Sequence, residues 1–373
     1  MSGIYIHIPF CRQACHYCDF HFSTNLSLKE KMVEAICMEL QQRQDYINGP
    51  INTIYFGGGT PSLLHIDEVK KIIDKVKSIY SVKDHAEITI EVNPDDITHT
   101  YLKGLRQAGV NRLSIGVQAF QDDLLALLNR PHNSVKAIDS IKEAREQGFY
   151  NITADLIYGI PGLGKGKWEE NVKRLIDLDI PHISTYALTI EEKTALGKWT
   201  QTGQFTPEEE ETVALQFENL IALLENAAYE HYEISNFAKE GYIARHNSSY
   251  WLGAPYLGLG PSAHSFNGSS RQYNISNNHK YIEGINTSKP EVIIEQLSTL
   301  DKVNEYFLTR LRTKWGCDLN ELRQNFNFET ERYVDTAKPF IDQGLMTREK
   351  NLLKLTSRGK LIADKITEAF FVV

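Results

Sequence analysis

The chain has 373 residues, 42% of them hydrophobic and 24% charged, which is the composition of a globular protein with a large core and excludes a disordered one. No apolar run approaches the ~18 residues that a membrane span needs, and Lys+Arg 40 against Asp+Glu 48 gives a net charge of −8, which opposes nucleic acid as a main partner. The N-terminus MSGIYIHIPF has no basic region leading into a long apolar stretch, so a cytoplasmic protein is expected.

Short β-branched and aromatic runs alternate with helical patterns. Strands are predicted at Ile4–Ile8, Thr53–Phe56, Glu87–Val92, Arg112–Val117, Ile152–Tyr158 and His182–Leu188. Between them, segments such as IDEVKKIIDKVKSIY from Ile66 and SVKAIDSIKEAREQG from Ser134 space their apolar residues by three and four. Helices stop at Gly109, at Gly148 and shortly before Pro181, as helix C-termini do. Six βα units over residues 1–228 predict an α/β fold, an open, partial (β/α)6 TIM-like barrel with its site at the strand C-termini. Residues 229–277, after the helical stretch Pro207–Ala228, are aromatic- and Gly-rich and are expected to be mostly loop. From 278 to 373 a smaller helical domain is expected, whose GLMTREKNLLKLTSRGKLIADKI reads as a hairpin and helix, a winged-helix-like ending. The acidic total favours a packing module over DNA binding.

Of five cysteines, Cys11, Cys15 and Cys18 crowd into the loop after the first strand as C-x3-C-x2-C, while Cys37 and Cys317 are remote and expected to be buried apolar residues. This is no disulfide framework. Three thiolates this close can converge on one metal centre, and soft sulfur suits an iron–sulfur cluster or zinc. Zinc would want a fourth protein ligand, for which His16 and His21 are neighbours. The preferred reading is a 4Fe-4S cluster with three cysteine ligands and one open iron.

Set after strand one of a six-unit βα chain, this spacing resembles the radical S-adenosylmethionine (SAM) superfamily, and the fold implied is the radical SAM barrel. The resemblance implies that SAM chelates the open iron, where an electron from the cluster can cleave its sulfonium. It also implies roles for the strand ends. YFGGGTPS would bring backbone to the SAM amino group, although a tight turn explains a glycine run as readily. Glu91 in EVNP and Gln118 in SIGVQAF would serve ribose hydroxyls, and Arg130 in LLNRPH the carboxylate. The SAM contacts implied are Tyr5, Gly58, Gly59, Thr60, Glu91, Gln118, Arg130 and Asp155, with backbone near Ala187.

IYIHIPFC, CDF, YFGGGTPS, EVNPDD, LSIGVQAF, LIYGIPG and GLGPSAHSF together resemble the branch holding oxygen-independent coproporphyrinogen III oxidase (HemN) and the heme chaperones (HemW), whose HemN-like C-terminal domain the ending would match. In the oxidase the motif continues as CxC, but here that place is Phe20, and the chain starts almost on its first strand. Both departures weaken the reading as an oxidase of porphyrin biosynthesis that decarboxylates propionates by radical chemistry. HNSSYW fits the HNxxYW signature of the chaperone branch, implying heme contacts at His246, Asn247, Tyr250 and Trp251; a neutral imidazole can ligate heme iron and aromatic faces can bracket a porphyrin. The resemblance further implies a heme-accepting protein and an electron donor for the cluster, and it leaves room for peripheral membrane association. A third reading is a metal-stabilised scaffold docking a partner.

Overall fold

The computed structural model describes residues 2–372. Six parallel strands lie side by side in chain order: β1 (Ser2–Ile8), β2 (Ile51–Gly58), β3 (Val82–Val92), β4 (Arg112–Gln118), β5 (Ile152–Tyr158) and β6 (His182–Ala187). All six predicted strands are present, several of them longer than the sequence signal. Their residues are almost continuously buried, as parallel strands covered by helices must be. The helix Ile66–Ile79 shows why: Val69, Ile72, Ile73 and Val76 form one apolar stripe against the sheet. Gly109, at φ +98°, ends the helix His99–Ala108 in the left-handed conformation that favours glycine.

The segment expected to be mostly loop instead extends both sheet edges. Next to β6 lie β8 (Asn236–Ala238) and its antiparallel partner β7 (Glu230–Glu233). Beside β1 runs β9 (Tyr256–Leu259), parallel to it, followed by antiparallel β10 (His264–Phe266), β11 (Ser270–Asn274) and β12 (Val292–Gln296). The break expected at 278 also moves. Tyr281, Ile282 and Ile285 belong to the barrel core, and the second core gathers residues from Val303 to Phe370. There β13 (Cys317–Asp318), β14 (Met346–Glu349) and β15 (Leu352–Leu355) form a small sheet under helices, with Phe307, Tyr333 and Phe370 packed ring to ring. The winged-helix-like ending is therefore present. No helix is long and apolar enough to cross a membrane among the described residues.

Candidate functional site: a cysteine cavity and an aromatic cavity

The cysteine loop is closed at its neck by two backbone bonds, Cys11 N–H to Ser23 O at 3.1 Å and Ser23 N–H to Pro9 O at 2.9 Å. Its far side is stitched to the loop after β4: Gln13 Nε2 donates to Asn129 O, and Asn129 Nδ2 donates to Ala14 O. Cys11, Cys15 and Cys18 thereby line one cavity of about 480 Å³ at the C-terminal ends of the strands. Burial pushes the Cys11 thiol up to about 12 and the Cys18 thiol to about 11. Such thiols ionise when a metal supplies the compensating charge. Neither histidine that zinc would want is there. His16 Nδ1 donates to Leu127 O at 2.8 Å, and His21 faces a different cavity.

The strand ends supply the rest of this cavity. Gly59 packs so tightly on the end of β1 that a Cβ would fall 2.6 Å from Phe10 O, and the N–H groups of Gly59 and Thr60 are spent on Ile8 O and Phe10 O. What this turn offers a ligand is carbonyl oxygen, the right partner for an amino group. Glu91 accepts from Tyr55 Oη at 2.8 Å and Gly58 N at 3.2 Å. Burial raises its pKa to about 7 and that of Asp155 to about 6. Gln118 ends β4 at φ +68°, a backbone a non-glycine residue adopts only when its surroundings hold it there.

Arg130 is the most telling group. It is buried, it donates to Cys15 Sγ at 3.3 Å, to Asn93 Oδ1 at 2.7 Å and to Gly116 O at 3.0 Å, and its Nε has no partner among the described residues. No carboxylate pairs with it there. Asp95 and Asp155 act on it only from beyond ion-pair distance, and a buried cation with no carboxylate in contact is costly, so the cavity fits an anionic ligand such as the SAM carboxylate.

Seven of the eight residues expected at SAM line this cavity; Tyr5 does not. Tyr5 lines the neighbouring cavity, and its hydroxyl bonds His7 Nδ1 at 3.2 Å. Sequence reasoning passed over Asn93, which holds Arg130, and Tyr186 at the end of β6. Asn93 stands two places after Glu91 and was findable as another polar group at a strand end.

The neighbouring cavity, about 720 Å³, opens between the barrel and the C-terminal module. Its walls include Tyr250, Trp251, Tyr256 and Phe266 from the barrel side and Tyr306 and Phe326 from the module. Arg271 is paired with Glu305 at 2.8 Å and Arg310 with Glu321 at 3.2 Å, whereas Lys302 has no ion-pair partner among the described residues. Phe20, 70% exposed, borders both cavities.

HNSSYW forms the helix Arg245–Trp251, which puts His246 and Tyr250 four residues apart on one face. Tyr250 and Trp251 line the aromatic cavity, but His246 and Asn247 do not. His246 is 1% exposed, with Nδ1 at 2.8 Å from Thr53 Oγ1 and Nε2 at 2.7 Å from Tyr250 Oη. Both ring nitrogens are spent, and burial lowers its pKa to about 3, so the ring is neutral. His246, expected to contact heme directly, thus lies behind Tyr250, which stands between it and the aromatic cavity.

Residues 5–175 match the radical SAM superfamily, and residues 297–362 match the HemN C-terminal domain. The heme chaperone HemW of Bacillus subtilis (strain 168) is 33% identical over 375 residues, covering 99% of both chains. That of Mycobacterium tuberculosis (strain ATCC 25618 / H37Rv) is 32% identical, covering 98% of this chain and 93% of its own. The coproporphyrinogen III oxidase (HemN) of Escherichia coli, a radical SAM enzyme, superimposes with a TM-score of 0.85 over 99% of this chain and 89% of its own at 22% identity. That last likeness is one of fold.

Proposed function

The chain belongs to the radical SAM superfamily and, within it, to the family of the HemW heme chaperones, and on that premise we propose that it carries heme in the aromatic cavity and delivers it to an acceptor protein. The observation that carries this reading is the cavity itself. Its volume of about 720 Å³ bounded by tyrosine, tryptophan and phenylalanine rings suits a flat apolar macrocycle, and Lys302, which has no ion-pair partner among the described residues, suits a propionate. Tyr250 and Trp251 form one wall, and His246 sets the Tyr250 ring from behind.

Cys11, Cys15 and Cys18 would hold a 4Fe-4S cluster, the cofactor that the superfamily implies together with SAM. When bound, that cluster supplies electrons and an open iron for the amino-acid end of SAM. Arg130 takes the SAM carboxylate, the Gly58–Thr60 turn its amino group, and Glu91 and Gln118 its ribose. Each buried polar partner contributes on the order of 1–3 kcal/mol. Glu91→Ala should therefore weaken SAM by roughly 10- to 100-fold, with cluster iron unchanged. Because burial raises Glu91 to about 7, its carboxylate protonates and loses acceptor strength as pH falls through that value. SAM affinity should fall with it in the wild type, and Glu91→Gln should flatten that dependence. Unaltered SAM affinity in both Glu91→Ala and Arg130→Ala, read by equilibrium dialysis, would remove this pocket from the account.

Phe20, at the place of the oxidase's extra cysteine, puts an apolar ring where the two cavities meet. Coproporphyrinogen III incubated anaerobically with the reduced, SAM-loaded protein should come back unchanged. Vinyl-bearing product would reassign the chain to the oxidase reaction.

A further inference from the structure

A histidine that ligates heme iron must face the cavity and keep a lone pair on one ring nitrogen. His246 does not qualify, since both its nitrogens are bonded in the core. Nor does His7: its Nε2 bonds His21 O at 2.9 Å, and its Nδ1 accepts from Tyr5 Oη at 3.2 Å. His264 lines the cavity, yet it lies stacked on Tyr273 with ring centroids 5.0 Å apart and no protein acceptor fixing either nitrogen among the described residues.

His21 is different. Its Nε2 stands 2.8 Å from Asn278 Oδ1, and an amide oxygen only accepts, so Nε2 carries the hydrogen. Nδ1 is then the lone-pair nitrogen, and it has no hydrogen-bond partner among the described residues. This is how metal-bound histidines are held: the nitrogen away from the metal donates to a protein acceptor, which fixes tautomer and ring together. Asn278 is itself buried, in the first turn of the helix Asn278–Asn286.

We propose that His21 Nδ1 is the axial ligand of the heme iron carried in the aromatic cavity, with Asn278 as its positioning residue. This rests on the heme reading above. His21 is three residues beyond Cys18 and next to Phe20, so one loop would carry a cluster ligand and the heme ligand.

The test is electron paramagnetic resonance of cluster-loaded protein given ferric heme, because the oxidised cluster is silent. The wild type should show an imidazole-ligated ferric heme. His21→Ala should lose that signal and bind heme at least roughly tenfold more weakly, and added imidazole should restore the signal. His264→Ala should keep the imidazole-ligated signal. Asn278→Asp should keep heme bound and shift its potential negative, because a carboxylate drawing on Nε2–H makes Nδ1 a stronger donor. Wild-type protein that holds no heme overturns the heme reading itself. A His21→Ala protein with the wild-type signal overturns the ligand assignment alone. So does a lost signal that imidazole does not restore in protein retaining its cluster, or an Asn278→Asp potential equal to the wild type.

Discussion

Cys11→Ala, Cys15→Ala and Cys18→Ala should each reduce reconstituted iron and sulfide from about four per chain to near none. Each change removes one of the three thiols that share the cavity, and no histidine there can replace it, since His16 is bonded to Leu127 O and His21 faces the other cavity. Cys37→Ala and Cys317→Ala should keep the full iron content. Cys37 packs in the barrel core on the helix Lys29–Gln42, and Cys317 is wholly buried in the second core. Iron and sulfide analysis after anaerobic desalting reads all five variants. Wild-type iron in any of the first three would disconnect the thiols from the cluster.

Glu87→Ala should cost about 3–5 kcal/mol, the scale of breaking a buried ion pair from one side. Glu87 and Arg112 are 5% and 1% exposed and stand 3.9 Å apart. The same carboxylate accepts from Arg245 N at 3.0 Å and His246 N at 2.9 Å, so it caps the helix that carries the cavity wall. Removing it leaves a buried guanidinium without its contacting carboxylate and two N–H groups unmet. Anaerobic urea denaturation would show the loss as a lower midpoint, with Glu87→Gln intermediate because its amide oxygen keeps one acceptor. A change under about 1 kcal/mol, the ordinary size for a point mutation, would mean that this pair does not anchor the helix.

The parts of the fold that repeat were legible in the sequence. β1 to β6 are long enough for β-branched runs to show, and their helices carry clear stripes such as Val69, Ile72, Ile73 and Val76. β7 to β12 are three to five residues each and take their pairing from the edges of an existing sheet, a tertiary fact with no period to read. The domain break was displaced for a similar reason. The helix Asn278–Asn286 resembles the helices after it, but its apolar face lies on the barrel through Tyr281, Ile282 and Ile285.

At the site, strand-end motifs placed Glu91, Gln118, Arg130 and Asp155 around the cysteines because loops after parallel strands converge. Tyr5, in the middle of β1, lines the neighbouring cavity instead, because packing decides which cavity a side chain on that strand reaches. HNSSYW read as loop promises a free imidazole. Folded as the helix Arg245–Trp251, it turns His246 onto Tyr250 and closes both ring nitrogens. Of the aromatic cavity only the wall of Tyr250 and Trp251 was legible, because the facing Tyr306 and Phe326 join it across a domain boundary.

Heme retention by the cluster-loaded protein tests the central claim most directly. Protein mixed anaerobically with ferric heme and passed through a desalting column should emerge with heme at one per chain, and Trp251→Ala, which opens the cavity wall, should emerge with less. Wild-type protein that leaves all its heme on the column would contradict the account.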